Sequence, residues 1–308
     1  MYLKSWSFTL ITALHFAGVS FLTCLPSAHA QTAFFRGLGV AADIGGMDVS
    51  DDGSIIFASL AGKVHRWTKD TGLVDLGLNR GASTYNLFAS GDGSTFFAST
   101  FGTGYRWNEQ AGLEPLSGVV QITDASTDGL TAVGMHANGA YRWTKQSGFT
   151  FLNLSSVSGA GHYPWGVSGD GLVVAGRVGP GNYQTWRWSE VTGAIALPTP
   201  SGYVGSNTNP AISYDGSVIG GLLLYVQGDL INEESARWTA ATGWIGLGRP
   251  ENFQYSGPRG ISDDGSRILF TASGRDGNPS LSASFLWDDQ KGTKKRSGNG
   301  KPVFSEVN

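Results

Sequence analysis

The sequence predicts an all-β fold: a six-bladed β-propeller of four-stranded antiparallel blades, its ring closed by a strand from the N-terminus. Three observations predict it. An Asp-Gly pair recurs six times, at Asp52, Asp92, Asp128, Asp170, Asp215 and Asp264, each followed by glycine. A tryptophan follows each pair, at Trp67, Trp107, Trp143, Trp188, Trp238 and Trp287, and a glycine stands five residues after every tryptophan. Successive tryptophans are 40, 36, 45, 50 and 49 residues apart, the spacing of propeller and solenoid repeats.

The second unit shows how one repeat divides into strands. Tyr85 to Ser90 reads as a first strand, and Gly91-Asp92-Gly93 is a turn that tolerates positive φ. Thr95 to Ser99 is a second strand, Gly104 to Trp107 a third, and Leu113 to Leu116 a fourth. Four short strands in about 40 residues describe one blade. Beyond the first thirty residues, no segment carries the length and 3.6-residue period of a helix.

The two ends suggest how the ring closes. Phe35-Arg36-Gly37-Leu38-Gly39 is similar to the fourth strand of unit five, Trp244 to Gly248. After Trp287 the chain becomes polar. Phe34 to Val40 is therefore expected to supply the outer strand of the last blade and cover its edge. The domain reading is a signal peptide over 1–30, a propeller over 31–290 and a polar basic tail over 291–308.

Residues 1–30 have a leader pattern. Lys4 precedes an apolar run from Phe8 to Leu25, and Ala28-His29-Ala30 offers small residues at a cleavage site. The chain is thus expected to be exported, to the periplasm, the cell surface or the medium, with no membrane span once the leader is removed. Cys24 is the only cysteine and lies in the leader, so no disulfide would staple the fold. The net charge is −3, and such a mildly acidic chain argues against non-specific nucleic-acid binding. Lys291, Lys294, Lys295, Arg296 and Lys301 make the tail basic, the composition of a solvated segment.

Units four to six are enlarged. The gap from Asp-Gly glycine to tryptophan is 14 residues in units one to three, but 17, 22 and 22 in the others. The additions fall at Arg177 to Gln184, Tyr225 to Ser235 and Ser273 to Ser282, and the links between these units lengthen too. In a meander both sets emerge on one face, and loops on a rigid scaffold commonly carry function. The links bring Tyr163, Trp165, Tyr203, Phe253, Tyr255 and Arg259 to that sector. Aromatic rings there suit stacking against a sugar or a peptide side chain. Trp165 stands outside the repeating tryptophan register, so the repeat does not explain it.

The repeat itself resembles the HAF family of bacterial extracellular repeats. Val49-Ser50-Asp51-Asp52-Gly53-Ser54, Arg66-Trp67-Thr68, Ala140 to Thr144, Ala236 to Thr239 and Thr242 to Gly248 match its Val-Ser-x-Asp-Gly-Ser, aromatic-Arg-Trp-Thr and Gly-hydrophobic-x-x-Leu-Gly elements. The histidine of that family's His-Ala-Phe signature is absent here, and Leu286 stands in place of arginine in unit six. The resemblance covers about residues 35–292 and implies export and a repeat scaffold. It transfers no catalytic residue.

The expected function is that of a non-catalytic binding or adhesion module for a glycan or a surface protein. The alternatives are a glycan-cleaving enzyme and a purely structural module of a surface assembly. Signatures for nucleophilic, metalloprotease or phosphate-loop chemistry are missing. A glycosidase needs only two carboxylates, and Asp229, Glu233, Glu234, Glu251 and Asp276 lie on the enlarged face. No cofactor or metal is expected: the doubled Asp51-Asp52 and Asp263-Asp264 lack the spacing of a calcium loop. The arginines before the tryptophans (Arg66, Arg106, Arg142, Arg187 and Arg237) are expected to pair with the Asp-Gly aspartates, while the tryptophans fill the space between blades.

Overall fold

A computed structural model describes residues 44–79, 86–100, 102–179, 184–248, 253–275 and 278–298. All belong to one compact unit spanning Val40–Asn308. The expected leader over 1–30 and the expected strand Phe34–Val40 lie outside the described residues.

Six four-stranded antiparallel meanders follow one another. Blade 1 is β1 (Ile44–Val49), β2 (Ile55–Leu60), β3 (Lys63–Thr68) and β4 (Gly72–Asn79). Blade 2 is β5 (Asn86–Ala89), β6 (Thr95–Thr100), β7 (Thr103–Asn108) and β8 (Gly112–Leu116). Blade 3 is β9 (Val119–Ala125), β10 (Thr131–His136), β11 (Gly139–Thr144) and β12 (Gly148–Phe151). Blade 4 is β13 (His162–Val167), β14 (Val173–Val178), β15 (Thr185–Ser189) and β16 (Gly193–Ala196). Blade 5 is β17 (Gly205–Ile212), β18 (Val218–Gln227), β19 (Leu230–Thr239) and β20 (Gly243–Gly246). Blade 6 is β21 (Tyr255–Ile261), β22 (Arg267–Arg275), β23 (Asn278–Asp288) and β24 (Gly292–Gly298). The first strands of successive blades touch one another, which makes them the innermost strands, around a central axis.

Each Asp-Gly pair sits in the turn from first to second strand. In blade 2, Ser90 Oγ donates to Asp92 Oδ1 at 2.6 Å and accepts from Thr95 N at 3.0 Å, while Asp92 Oδ1 also accepts from Ser94 N at 2.9 Å. The same serine–aspartate bond recurs at Ser50, Ser126, Ser168, Ser213 and Ser262. The six glycines that follow have φ between 63° and 71°, a region that only glycine occupies without strain. The aspartate therefore closes its own turn, and the expected pairing with the repeating arginine survives only as the charge interaction of Arg187 with Asp215 of the next blade. Two of the arginines instead cross to the next blade: Arg142 Nε donates to Gly171 O at 2.7 Å, and Arg237 Nε to Gly265 O at 3.5 Å, whereas Arg106 stays within its own blade on Glu114 and Thr95.

The turns are also stitched to one another. Asp51 N donates to Gly91 O, Gly91 N to Thr127 O, Asp128 N to Gly169 O, Asp170 N to Tyr214 O, and Tyr214 N to Asp263 O, at 2.7 to 3.1 Å. These bonds run from blade 1 to blade 6. Burial, then the charges of Asp263, Asp52 and Asp92, raise the Asp51 pKa, so the turns of the last and first blades stand close together.

The cores lie between blades. Phe57 of blade 1 meets Phe96 and Trp107 of blade 2 at ring-centroid distances of 5.0 and 5.9 Å. Second strands are packed on both faces and so are apolar runs without alternation: Phe96, Phe97 and Ala98 are all fully buried. Trp107, Trp188 and Trp238 are buried, as expected of the repeating tryptophans, while Trp67, Trp143 and Trp287 are only half-buried.

Two expectations change. The polar stretch after Trp287 is not a tail at its start: Gly292–Gly298 is β24 and pairs with β23, from Asp288↔Gly292 to Ala283↔Gly298. That edge, expected for Phe34–Val40, is already filled. Second, the additions in units five and six are longer hairpins rather than loops. β18 and β19 pair without interruption from Val218↔Thr239 to Gln227↔Leu230, and β22 and β23 extend to Arg275↔Asn278. Backbone pairing satisfies polar groups that a loop would leave to water, and Gly228 at φ 63° closes the first of these hairpins.

Candidate ligand pocket spanning blades 4 to 6

The enlarged sector encloses a pocket of about 360 Å³. Arg177 of β14, Leu222 of β18, Glu233 of β19, Tyr255 to Arg259 of β21, and Thr271 and Ser273 of β22 line it. Arg177, Leu222 and Thr271 hold equivalent places in their second strands, the fifth residue after the Asp-Gly turn reopens. Blades 1 to 3 carry Ser59, Ser99 and Met135 there. Of the six residues at this repeat position, Arg177 alone is charged.

The inner strands place the other groups. β13 and β21 each carry a bulge, between Pro164 and Gly166 and between Pro258 and Gly260. The extra residue is Trp165 in one and Arg259 in the other, so two predicted site residues occupy the same repeat position. A bulge re-aims the side chain of its unpaired residue, a device common beside binding sites. Arg259 Nε donates to Thr271 Oγ1 at 2.9 Å, which fixes the guanidinium against β22.

Arg177 is held by aromatic rings. Its guanidinium carbon lies 5.9 Å from the Tyr163 ring centroid and 5.7 Å from that of Trp165. Cation–π contacts of this kind orient a guanidinium by its faces and leave its in-plane donors to other partners. Tyr163 is itself held by backbone: a Cβ on Gly161 or Gly179 would come within 3.1 and 2.9 Å of its ring. Beneath Glu233, Ser256 Oγ accepts from Ser235 N at 2.7 Å and donates to Glu233 O at 3.3 Å. Burial raises the Glu233 pKa above its ordinary value, so its carboxyl holds a proton more readily than a surface glutamate does.

The six predicted ligand residues divide. Tyr255, 45% exposed, and Arg259 line the pocket. Tyr163 and Trp165 stand behind it and carry Arg177. Tyr203 and Phe253 do not reach it, which corrects the sequence expectation. The Tyr203 hydroxyl donates to Glu234 Oε2 at 2.7 Å and its ring meets Tyr225 edge-on. Phe253 packs edge-on against Phe285 at 5.7 Å. Both fill space under the blade links. The four that form the site lie in β13 and β21 rather than in free links.

Sequence reasoning missed Arg177, Ser256, Thr271 and Ser273. A signal for Arg177 was present: an arginine inside an otherwise apolar second strand, Val173 to Val178. Among the candidate carboxylates, Asp229 is exposed at a hairpin tip. Glu234 is buried, bonded to Tyr203 and to Gly248 N. Among the described carboxylates Glu233 is the one that lines the pocket. Glu251 and Asp276 lie outside the described residues. Among the described residues no three His, Cys, Asp or Glu side chains gather as a metal set, and no helix is long and apolar enough to cross a membrane.

No family model matches the chain, and no curated protein matches it either. Solved structures do share its architecture. It is similar to the hydrazine synthase of Kuenenia stuttgartiensis, with 13% identity and a TM-score of 0.54 over 84% of this chain and 81% of that one. It is similar to the WD40 repeats of RRP9, with 9% identity and a TM-score of 0.54 over 84% and 81%. A putative TolB of Agrobacterium tumefaciens follows at 13% identity and 0.48, over 83% and 81%. The class is therefore the β-propeller, to which WD40 repeats belong. At such identities the likeness defines the fold alone.

Proposed function

We propose that this protein is an exported, non-catalytic β-propeller of the HAF-repeat kind, and that it works by binding a ligand in the pocket spanning blades 4 to 6. The observation that carries the reading is convergence. Arg177, Glu233, Tyr255 and Arg259 come from three blades into one concave space. A concave site with a few oriented polar groups on a rigid scaffold is what ligand binding requires. Export rests on the leader pattern, and kinship with the HAF repeats rests on the residues that match them.

Among the described residues lining the pocket Glu233 is the one acid, whereas hydrolysis by the usual route takes two carboxylates, and binding without turnover is set against that requirement. A glycan array run beside hydrolysis assays tests the reading. Binding that Tyr255→Ala or Arg177→Ala abolishes, with no product formed, is the expected result. Turnover, or binding indifferent to both substitutions, would sink it.

A further inference from the structure

The end of the propeller opposite the second-to-third-strand hairpins carries another surface. The Asp-Gly turns and the turns from third to fourth strand emerge there, and in all six blades both lie within the described residues. The residue after each Asp-Gly pair is serine in four blades, at Ser54, Ser94, Ser217 and Ser266, and leucine in two, at Leu130 and Leu172. The turn has no use for a leucine side chain. Leu130 N donates to Asp128 Oδ1 at 2.9 Å and Leu172 N to Asp170 Oδ1 at 3.0 Å, as Ser94 N does to Asp92 Oδ1. Both leucines instead stand in solvent, 56% and 57% exposed. Tyr214, exposed in the turn of blade 5, reaches back over blade 4: a Cβ on Gly169 would lie 2.3 Å from its ring.

Backbone bonds from Asp128 N to Gly169 O and from Asp170 N to Tyr214 O set these three turns side by side. Leu130, Leu172 and Tyr214 thus make an apolar arc over blades 3 to 5. Exposed apolar side chains that gather within a polar rim mark interaction surfaces, whereas scattered ones do not. Leu130 also lines two clefts between blades, of about 490 and 690 Å³, and the larger adds Ile55 and Trp107.

The charge around the arc selects the partner. Asp51 and Asp263 double the repeating aspartates on blades 1 and 6. Their crowding is visible at Asp51, whose pKa is raised by burial and then by the charges of Asp263, Asp52 and Asp92. Glu109 and Glu190 carry the acidity outward along the two clefts. Most arginines at this end are already engaged: Arg142 and Arg237 on carbonyls of the next blade, Arg106 on Glu114, Arg267 on Asp288. Arg66 lines the larger cleft, and Lys69, Lys145 and Lys291 stand in the outer turns. A second copy presenting the same face would meet like charge across the aspartate ring.

We propose that this face docks a partner protein through a basic segment that also carries apolar side chains. Leucine-sized groups cover the arc of Leu130, Leu172 and Tyr214, and lysines or arginines meet Asp51, Asp52, Asp92 and Asp263. The surface shares no residue with the pocket spanning blades 4 to 6. Its two halves act differently: the arc supplies affinity through area withdrawn from water, and the aspartates supply an attraction that salt screens.

The test is fluorescence anisotropy on the full chain with a labelled peptide, Lys-Leu-Lys-Gly-Leu-Lys-Gly-Lys, at low ionic strength. Two comparison peptides replace its leucines by serine or its lysines by glutamate. The leucine–lysine peptide should bind, the serine version about tenfold more weakly and the glutamate version not measurably. Leu130→Ser together with Leu172→Ser installs the residue of the other four blades. That pair should cost the leucine–lysine peptide about tenfold and spare both the serine version and the melting temperature. Asp51→Asn with Asp263→Asn should weaken both lysine peptides and flatten their salt dependence. Equal binding of the lysine and glutamate peptides, or binding indifferent to the leucine pair, would overturn the proposal. Loss of the peptide in Tyr255→Ala but not in the leucine pair would move it to the pocket. Self-association in sedimentation that the leucine pair abolishes would make a second copy the occupant. Silence from both lysine peptides would leave the face without the partner assigned to it and overturn the proposal outright.

Discussion

Arg142 Nε donates to the Gly171 carbonyl oxygen at 2.7 Å, tying the third strand of blade 3 to the Asp-Gly turn of blade 4. Arg142 is thus an inter-blade strut. A charged donor to a mostly buried carbonyl is worth about 1.5–3 kcal/mol. Arg142→Ala is expected to lower the unfolding free energy by that much, read as a lower urea midpoint with an unchanged slope. Glu190 lies 3.6 Å from Arg142 Nη1 but its side chain is 71% exposed, so Glu190→Ala should cost under about 1 kcal/mol. Equal losses in the two variants would refute the strut.

The repeating tryptophans are expected to differ in weight. Trp188 is 6% exposed, packed within the cluster that includes Val174 and Trp186. Trp188→Ala should cost about 3–5 kcal/mol, the range for truncating a buried aromatic. Trp143 is half-buried, edge-on to Phe97 at 5.8 Å. Trp143→Ala should cost less, about 1–2 kcal/mol for the smaller area withdrawn from water. Thermal denaturation of both variants ranks them.

Gly134→Ala is expected to be among the most damaging single-methyl changes. Its φ is not positive, so strain is not the reason. A Cβ there would stand 2.0 Å from Gln121 O and 3.0 Å from Ile122 Cα, both backbone of β9 beside the bulge. Backbone cannot step aside as a side-chain end can, and the loss should be about 3 kcal/mol or more. At Gly220 the added carbon would meet its neighbours at 3.6 to 3.7 Å. Gly220→Ala should stay within about 1 kcal/mol, and chemical denaturation separates the pair.

Asp124 should make stability fall as pH rises toward neutrality. It accepts from Ala125 N at 2.9 Å and from Val167 N of blade 4 at 2.8 Å. Burial raises its pKa from 3.8 to about 7; those backbone bonds oppose the rise and the Asp48 charge adds to it. The folded chain therefore keeps a proton that the unfolded chain has released. This contribution is complete below the unfolded value and is lost as pH climbs through about 7. Where the two states differ by a full proton, the slope is about 1.4 kcal/mol per pH unit. Asp52, Asp92 and Asp215 are shifted downward and contribute with the opposite sign, so the readout is the difference between wild type and Asp124→Asn from pH 4 to 8. The variant should lose ground at low pH and regain it at high pH; parallel profiles would contradict the assignment.

Truncation before Gly292 should bare the edge of β23 and lower the melting temperature, because β24 pairs with it over Gly292–Gly298. Scanning calorimetry of chains ending at residue 290 or at residue 299 isolates the strand. Equal melting temperatures would mean that β24 contributes nothing.

The sequence alone determined the repeat: how many blades, where each turn falls, and which strand carries each tryptophan. It could do so because turn chemistry is local. A positive φ needs glycine, and Ser90, Asp92 and Ser94 close their turn within five residues of one another. The same locality made the sequence mislead elsewhere. Polarity marked Gly292–Gly298 as a tail, yet an outermost strand faces solvent on its free edge and tolerates lysine and serine. Length marked Tyr225 to Ser235 as a loop, yet pairing with itself turns the same residues into a longer hairpin.

Only the tertiary structure decided the site. Tyr163, Trp165, Tyr255 and Arg259 were legible as unusual residues outside the repeat, but so were Tyr203 and Phe253, and nothing local separates the two sets. The separation depends on what stands opposite each ring. Glu234 and Phe285 take up Tyr203 and Phe253, whereas Tyr163 and Trp165 meet Arg177, which lines a pocket shared with two other blades. A pocket shared by β14, β19 and β21 is a property of how blades are arrayed around an axis, and residues so far apart in the chain become neighbours only when the ring is built.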